Sequence, residues 1–196
     1  DTGVYANVRR FLNQGSLPVQ DAVRVEEMIN YFSYDYPLPK DKARPFSVTT
    51  EIAPTPWNKD SVLLRVGLKG HDIAAQKLPP ANLVFLVDVS GSMHSPDKLP
   101  LLKSGLKLLV LNLRAQDRVS PVVYAGNTGV VLEPTPGDQK GRILAALEGL
   151  SAGGSTNGDA GIKLAYAMAE QGYIKNGINR VLLATDGDFN VGTVSF

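Results

Sequence analysis

The feature that most constrains the fold is an uninterrupted apolar run, LVFLV at residues 83–87, that ends at Asp88. A run without polar alternation predicts a strand buried on both faces, which is typical of parallel sheets. A second such run, VLLAT at residues 181–185, ends at Asp186. The sequence therefore predicts two buried strands, each followed by an aspartate at its carboxyl end.

The segments between these two runs alternate between helical and strand patterns. Helices are predicted at 97–113, 138–149 and 158–171, and short strands at 119–124 and 128–132. Gly126 and Asn127, between the short strands, predict a tight hairpin turn. The order β-α-β-β-α-α-β predicts an α/β fold, with a mostly parallel sheet and helices on both of its faces.

The N-terminal part has a different pattern, which predicts a helical segment. Residues 1–36 carry the apolar spacing of two helices. Gly15 is the expected stop signal of the first helix, and Asp21 the expected N-cap of the second. Three tyrosines close to the second helix either pack this unit onto its neighbour or form an aromatic binding patch: Tyr31, Tyr34 and Tyr36.

A β-hairpin is predicted to follow the helical segment. Residues 46–53 and 61–68 have strand character, and the prolines, asparagine and aspartate between them favour a turn. Residues 69–82 predict a linker. We therefore expect two parts: a helical segment with hairpin and linker at 1–80, and an α/β domain at 81–196.

Composition excludes several classes of function. The chain has no cysteine, so disulfides, thiolate zinc sites and cysteine nucleophiles are excluded. Its net charge is +1 and no basic stripe is present, which argues against a nucleic-acid partner. No apolar stretch reaches the roughly 18 residues of a membrane span, so no transmembrane segment is expected in this chain.

Polar loops follow the predicted strands and point to a binding site. In Asp88-Val89-Ser90-Gly91-Ser92 the polar residues alternate, so an extended loop would aim them at one point, with Gly91 allowing a tight turn. A glycine-rich loop at 153–158 precedes a helix. Since ligands of open α/β sheets bind at the carboxyl ends of the strands, we expect these loops to meet there.

The oxygen donors in these loops select a hard cation. The candidate ligands are Asp88, Ser90, Ser92, Thr156 and Asp186. Hydroxyls and carboxylates without histidine or cysteine suit Mg²⁺, with Ca²⁺ or Mn²⁺ as alternatives. A general acid/base pair of aspartates is a weaker hypothesis, because no histidine or lysine lies in these loops. Asp186-x-Asp188-x-Asn190 resembles the start of an EF-hand loop, but an EF-hand is disfavoured because Val191 stands at the sixth position, where the loop requires glycine.

Asp88-x-Ser90-x-Ser92, followed by Thr156 and by Thr185-Asp186-Gly187, resembles the metal-ion-dependent adhesion site of von Willebrand factor A-type domains. The resemblance implies a Rossmann-like fold, with the three hydroxyls coordinating directly and the two aspartates acting largely through water. It also implies an open coordination position for an Asp or Glu of a partner protein. Complete domains of this type continue beyond the Asp186 strand, so we expect this one to be C-terminally incomplete.

The N-terminal segments YANVRRFL (5–12) and VEEMINYF (25–32) resemble a family of uncharacterised bacterial von Willebrand A proteins that are lipoprotein-like. This resemblance implies the cell envelope or periplasm rather than the cytoplasm. The function expected from the sequence is metal-dependent protein binding rather than catalysis. The alternatives are a metal-dependent hydrolase or phosphotransferase, and a subunit of an ATPase-driven assembly.

Overall fold

A computed structural model describes residues 2–41, 43–74, 77–125, 128–154 and 158–187. The chain forms two compact units, Asp1–Ala75 and Gln76–Phe196. No helix among the described residues has both the length and the apolarity needed to cross a lipid bilayer.

The first unit begins with two helices, α1 (Gly3–Asn13) and α2 (Val25–Asn30). Gly15, with φ 73°, follows α1 as predicted. The prediction that Asp21 caps the second helix is wrong, because Asp21 lies in a separate 3-10 turn and α2 begins four residues later. The buried Glu27 explains this start: its carboxylate accepts a hydrogen bond from Val4 N at 3.3 Å, which fixes α2 against α1.

Two long antiparallel strands, β1 (Phe46–Thr55) and β2 (Asn58–Gly70), complete this unit. The predicted hairpin is confirmed, but the strands extend further and leave only Pro56 and Trp57 between them. The expected turn residues Pro54 and Asp60 therefore lie within strands. The Asn58 side chain accepts a hydrogen bond from Asp60 N at 3.0 Å, which stabilises the start of β2.

The two faces of the hairpin differ. On one face the Tyr36 ring lies directly over Gly67, where no side chain would fit, and the Arg65 guanidinium packs 5.7 Å from the same ring. Tyr36 therefore packs the preceding segment onto the hairpin, which agrees with the prediction that the tyrosines have a packing role rather than with the alternative of an aromatic binding patch. The register places seven exposed aliphatic or aromatic side chains on the other face: Phe46, Val48, Ile52, Val62, Leu64, Val66 and Leu68.

The second unit is a mixed sheet. Its strands are β3 (Ala81–Asp88), β4 (Arg118–Tyr124), β5 (Gly129–Val130), β6 (Thr135–Pro136) and β7 (Ile178–Ala184). The order is β5-β4-β3-β7, with β6 also paired to β4. β3 runs parallel to both β4 and β7, whereas β5 and β6 run antiparallel to β4. The predicted mostly parallel α/β sheet is thus confirmed.

Three helices cover both faces of this sheet: α3 (Leu99–Leu111), α4 (Lys140–Glu148) and α5 (Gly158–Gln171). Alternate residues of β3 explain the layering. Phe85 and Val87 pack into the core formed with α3 and α4, whereas Val84 and Leu86 pack into the core formed with α5. These four side chains are at most 2% exposed, which accounts for the unbroken apolar run.

The outer strands differ from the predictions. β7 is not buried on both faces: Leu182 and Leu183 are 41% and 49% exposed, because β7 pairs with β3 alone in the described sheet. The strand predicted at 128–132 shortens to β5, and β6 was not predicted. The proposed turn residues 126 and 127 lie outside the described residues.

An ion pair joins the amino ends of β3 and β4. Arg114 donates hydrogen bonds to Asp117 and to the carbonyl oxygens of Leu78 and Pro79, and Asp117 accepts one from Ala81 N at 2.9 Å. Burial raises the pKa of Asp117, but the hydrogen bonds from Arg114 and Ala81 outweigh it and hold this pKa below its ordinary value. The pair aligns the two central strands at the end of the sheet opposite Asp88.

Two helix glycines give opposite predictions. A Cβ at Gly161 would lie 2.6 Å from the Tyr124 Cβ, whereas a Cβ at Gly105 would meet nothing within 4 Å. We expect Gly161→Ala to lower the free energy of unfolding by about 1–3 kcal/mol, because α5 must move off the sheet. Gly105→Ala should raise it by about 0.5–1 kcal/mol through helix propensity. Urea unfolding of both variants tests the pair, and an unchanged midpoint for Gly161→Ala would contradict the close packing of α5.

Candidate functional site

The carboxyl ends of three adjacent strands meet at Asp88. Its side chain is fully buried at the end of β3. One carboxylate oxygen accepts a hydrogen bond from Ser90 N at 2.8 Å. The other accepts hydrogen bonds from the Tyr124 hydroxyl at 3.3 Å and the Thr185 hydroxyl at 3.1 Å. Three donors thus hold this carboxylate in one orientation: Tyr124 at the end of β4, Thr185 directly after β7 and Ser90 in the loop after β3.

Two serine hydroxyls come together in the loop that follows Asp88. The Oγ atoms of Ser90 and Ser92 are 3.0 Å apart; Ser90 is buried and Ser92 is exposed. The expectation of an extended loop is wrong beyond Ser90, because Gly91–His94 form a 3-10 turn. The turn still brings the two hydroxyls together. The backbone does turn tightly at Gly91, as expected, but without a positive φ, and a Cβ there would meet only the Gly154 carbonyl oxygen, at 3.9 Å.

The glycine-rich loop is tied to the serine loop by two backbone hydrogen bonds. Gly153 N donates to Val89 O at 2.7 Å, and Gly91 N donates to Gly154 O at 3.2 Å. Gly154 has φ 86°, which an L side chain rarely adopts. The predicted ligand Thr156 lies outside the described residues. Its position beside the serines remains a prediction, supported by the anchoring of the loop two residues earlier.

Asp186 is engaged by a lysine that the sequence analysis missed. The Asp186 side chain is 11% exposed, and its Oδ2 accepts a hydrogen bond from Lys98 Nζ at 2.6 Å. The same ammonium donates to the Ser92 carbonyl oxygen at 2.9 Å. As expected, no lysine lies in the loops themselves, but Lys98 reaches Asp186 from outside them. Lys98 immediately precedes α3, far from Asp186 in sequence, and no local pattern links the two residues.

The Tyr124 hydroxyl is in the field of both aspartates. Burial raises its pKa to about 12; the hydrogen bond with Thr185 lowers it, and the negative charges of Asp88 and Asp186 raise it. Tyr124 therefore stays protonated at neutral pH and acts as a donor. The sequence analysis did not single it out, although its place at the end of β4 follows from the predicted topology.

The described oxygens that could hold a cation come from four of the five predicted residues. Asp88 accepts a hydrogen bond from the Ser90 backbone N–H, and the Ser90 and Ser92 hydroxyls contact each other. Lys98 connects the Ser92 carbonyl oxygen to Asp186. Over the parts of the chain that the structure describes, no three His, Cys, Asp or Glu side chains form a group suited to a metal. Any cation bound at these strand ends would therefore use serine hydroxyls together with the aspartates.

Comparison with known proteins links both units to one family. A family model described as von Willebrand factor matches residues 1–65, and one described as von Willebrand factor type A domain matches residues 83–188. The chain is 54% identical to the uncharacterized protein YfbK of Escherichia coli (strain K12), over 98% of this chain and 34% of that protein. It is 28% identical to human inter-alpha-trypsin inhibitor heavy chain H3, over 62% of this chain and 15% of that protein.

The chain thus spans about a third or less of the length of these relatives. Among solved structures, proximal thread matrix protein 1 of the mussel byssus superposes with a TM-score of 0.51 at 21% identity. The match covers 59% of this chain and 32% of that one. At this identity the likeness concerns the fold alone, and it agrees with the α/β layers described above.

Proposed function

The chain belongs to the von Willebrand factor type A family, and we propose that its second unit binds an acidic side chain of a partner protein through a divalent cation. Domains of this family often mediate protein–protein interaction. The observation that carries the proposal is the cluster of oxygens from Asp88, Ser90, Ser92 and Asp186 at adjacent strand ends. Thr156 is proposed as a further ligand.

The two serine hydroxyls are hydrogen-bonded to each other, and their spacing is also compatible with a cation of the size of Mg²⁺. Two neighbouring ligands of an octahedral ion at about 2.1 Å lie about 3.0 Å from each other. The Ser90 and Ser92 Oγ atoms are 3.0 Å apart. Asp88, whose orientation is held by three donors, is proposed to act on the cation largely through water. We propose Mg²⁺, with Ca²⁺ or Mn²⁺ as alternatives.

The Lys98 ammonium offers a second line of support. It bridges Asp186 and the Ser92 carbonyl oxygen, which shows that these groups accept a positive charge. A bound dication would supply an electrophilic centre for a carboxylate of the partner. The protein fixes these oxygens before the cation binds. It does so through the hydrogen bonds to Asp88 and the two backbone hydrogen bonds between the serine loop and the glycine-rich loop.

We propose binding rather than catalysis for this site. Asp88 is buried and both of its oxygens accept hydrogen bonds, which suits a fixed acceptor better than a group that transfers protons. Lys98 contacts Asp186, but the same ammonium also binds the Ser92 carbonyl oxygen, so we interpret the contact as an ion pair rather than as an acid/base pair. The hydrolase, the phosphotransferase and a subunit role in an ATPase-driven assembly stay the alternatives. We also propose the cell envelope or periplasm as the compartment, on the resemblance of residues 5–12 and 25–32 alone.

Cation binding is tested by thermal unfolding. A ligand that binds only the folded state stabilises it by about 2.7 kcal/mol at a hundredfold excess over Kd. We therefore expect Mg²⁺ or Mn²⁺ to raise the Tm of the wild type, and Asp186→Ala to lose most of the increase.

The matched control is Asp138→Ala, which removes an exposed carboxylate close to the start of α4. It should respond to the cation as the wild type does. An equal rise in Tm for the wild type and for Asp186→Ala would refute the assignment of this aspartate.

A further inference from the structure

A positively charged side chain lies among the proposed cation ligands. Lys98 Nζ is 2.6 Å from Asp186 Oδ2 and 2.9 Å from the Ser92 carbonyl oxygen. The Lys98 side chain is 35% exposed. The ammonium thus lies at the solvent side of the site, in contact with one proposed ligand and with the backbone of another.

We infer that Lys98 is an internal cation that competes with the divalent ion for Asp186 and thereby sets the cation affinity of the site. This inference rests on the proposed function. It adds a determinant of affinity that lies outside the five predicted ligand residues.

The competition follows from charge and from the shared carboxylate. An ammonium and a dication are attracted to the same oxygen and repel each other, although solvent at the 35% exposed Lys98 side chain screens part of this repulsion. Cation binding therefore favours molecules in which Lys98 has left Asp186. The apparent Kd exceeds the intrinsic Kd by the inverse of that fraction.

The surroundings allow Lys98 to move. A pocket of about 450 Å³ lies against the pair, lined by Lys98 and Asp186 together with Leu101, Leu102 and Thr185. A lysine suits reversible exchange because it is a compact charge on a flexible stem, whereas arginine would form a more rigid two-pronged bond with the carboxylate. The side chain can thus withdraw without disturbing the buried Asp88.

The test measures cation affinity by isothermal titration calorimetry with MnCl₂ and MgCl₂. Lys98→Gln removes the charge but retains an N–H donor for the Ser92 carbonyl oxygen. We expect its Kd to fall about 1.5-fold to fivefold relative to the wild type, the range of a partly exposed ion pair. Lys98→Met, which lacks the donor, separates loss of charge from loss of the bond to Ser92, and it should also bind more tightly.

The control is Lys107→Gln, which removes the same charge from a lysine within α3, the helix that Lys98 precedes, and breaks a pair with Glu148. It should leave the Kd unchanged. An unchanged or weaker affinity in both Lys98 variants, with the wild type still binding Mn²⁺, overturns the inference and leaves the proposed function standing. An equal gain in Lys107→Gln also overturns it, because net charge would then explain the effect. Absence of binding in every protein overturns the proposed function itself.

Discussion

Asp88→Ala is expected to lower the free energy of unfolding by about 2–4 kcal/mol, a large loss for one side chain. The substitution leaves the Ser90 N–H and the hydroxyls of Tyr124 and Thr185 without their common acceptor. A buried donor without a partner costs about 1–3 kcal/mol, and relief of the buried charge offsets part of the sum. Urea unfolding with the divalent cation chelated measures the change.

A second substitution separates charge from hydrogen bonding. Asp88→Asn keeps one acceptor oxygen, so its loss of stability should be smaller than that of Asp88→Ala, whereas its gain in Tm from Mg²⁺ should be lost in full. Asp138→Ala serves as the control for removal of an exposed carboxylate. If Asp88→Ala unfolds at the wild-type urea concentration, the three hydrogen bonds do not stabilise the sheet.

Chelation of divalent cations is expected to weaken binding of a protein partner by about a hundredfold or more. A desolvated charged anchor at an interface costs several kcal/mol when it is removed, and each 1.4 kcal/mol is a factor of ten. Thr156→Ala, which deletes one proposed ligand, should act in the same direction. Affinity capture from the source cells with Mg²⁺ and with EDTA identifies the partner, and titration then gives the Kd.

The control for this prediction is Ser104→Ala. It also deletes one hydroxyl, but this hydroxyl bonds to the Pro100 carbonyl oxygen within α3 and lies outside the site. Substitution of one Asp or Glu on the partner should reproduce the effect of EDTA. If the wild type in EDTA and the Thr156→Ala variant in Mg²⁺ both bind the partner as tightly as the wild type in Mg²⁺ does, the strand ends are not the interface.

The sequence predicted that Asp88 lies at the end of a buried strand, but it did not predict the contacts around the candidate site. Asp88 could be placed because an apolar run marks a buried strand and the carboxyl ends of parallel strands form one edge. The approach of Lys98 to Asp186 could not be predicted, since it joins residues 88 apart and depends on how α3 packs against the sheet. The 3-10 turn after Ser90 was missed because alternating polar residues favour an extended loop.

The burial of a strand was predicted correctly where helices cover both of its faces, as in β3, and incorrectly where its side chains are partly exposed, as in β7. β3 is buried along its length, so its pattern is unambiguous. β7 has an equally apolar sequence, but its exposure depends on having one strand neighbour in the described sheet, which no local pattern records. The predicted start of α2 was wrong because no local pattern records the hydrogen bond from Val4 N to the Glu27 carboxylate, which holds this helix against α1.

The hydrogen bonds of Asp88 also fix when the site can exist during synthesis of the chain. Asp88 is 36 residues from Tyr124 and 97 residues from Thr185. At a ribosomal rate of about 5–20 residues per second, roughly 5–20 s separate the appearance of Asp88 from that of Thr185. Until β7 has been made and has paired with β3, the nascent chain holds a carboxylate without its full set of donors. Because contacts of such long range form late, the proposed cation would stabilise the finished sheet rather than the chain before β7 has paired.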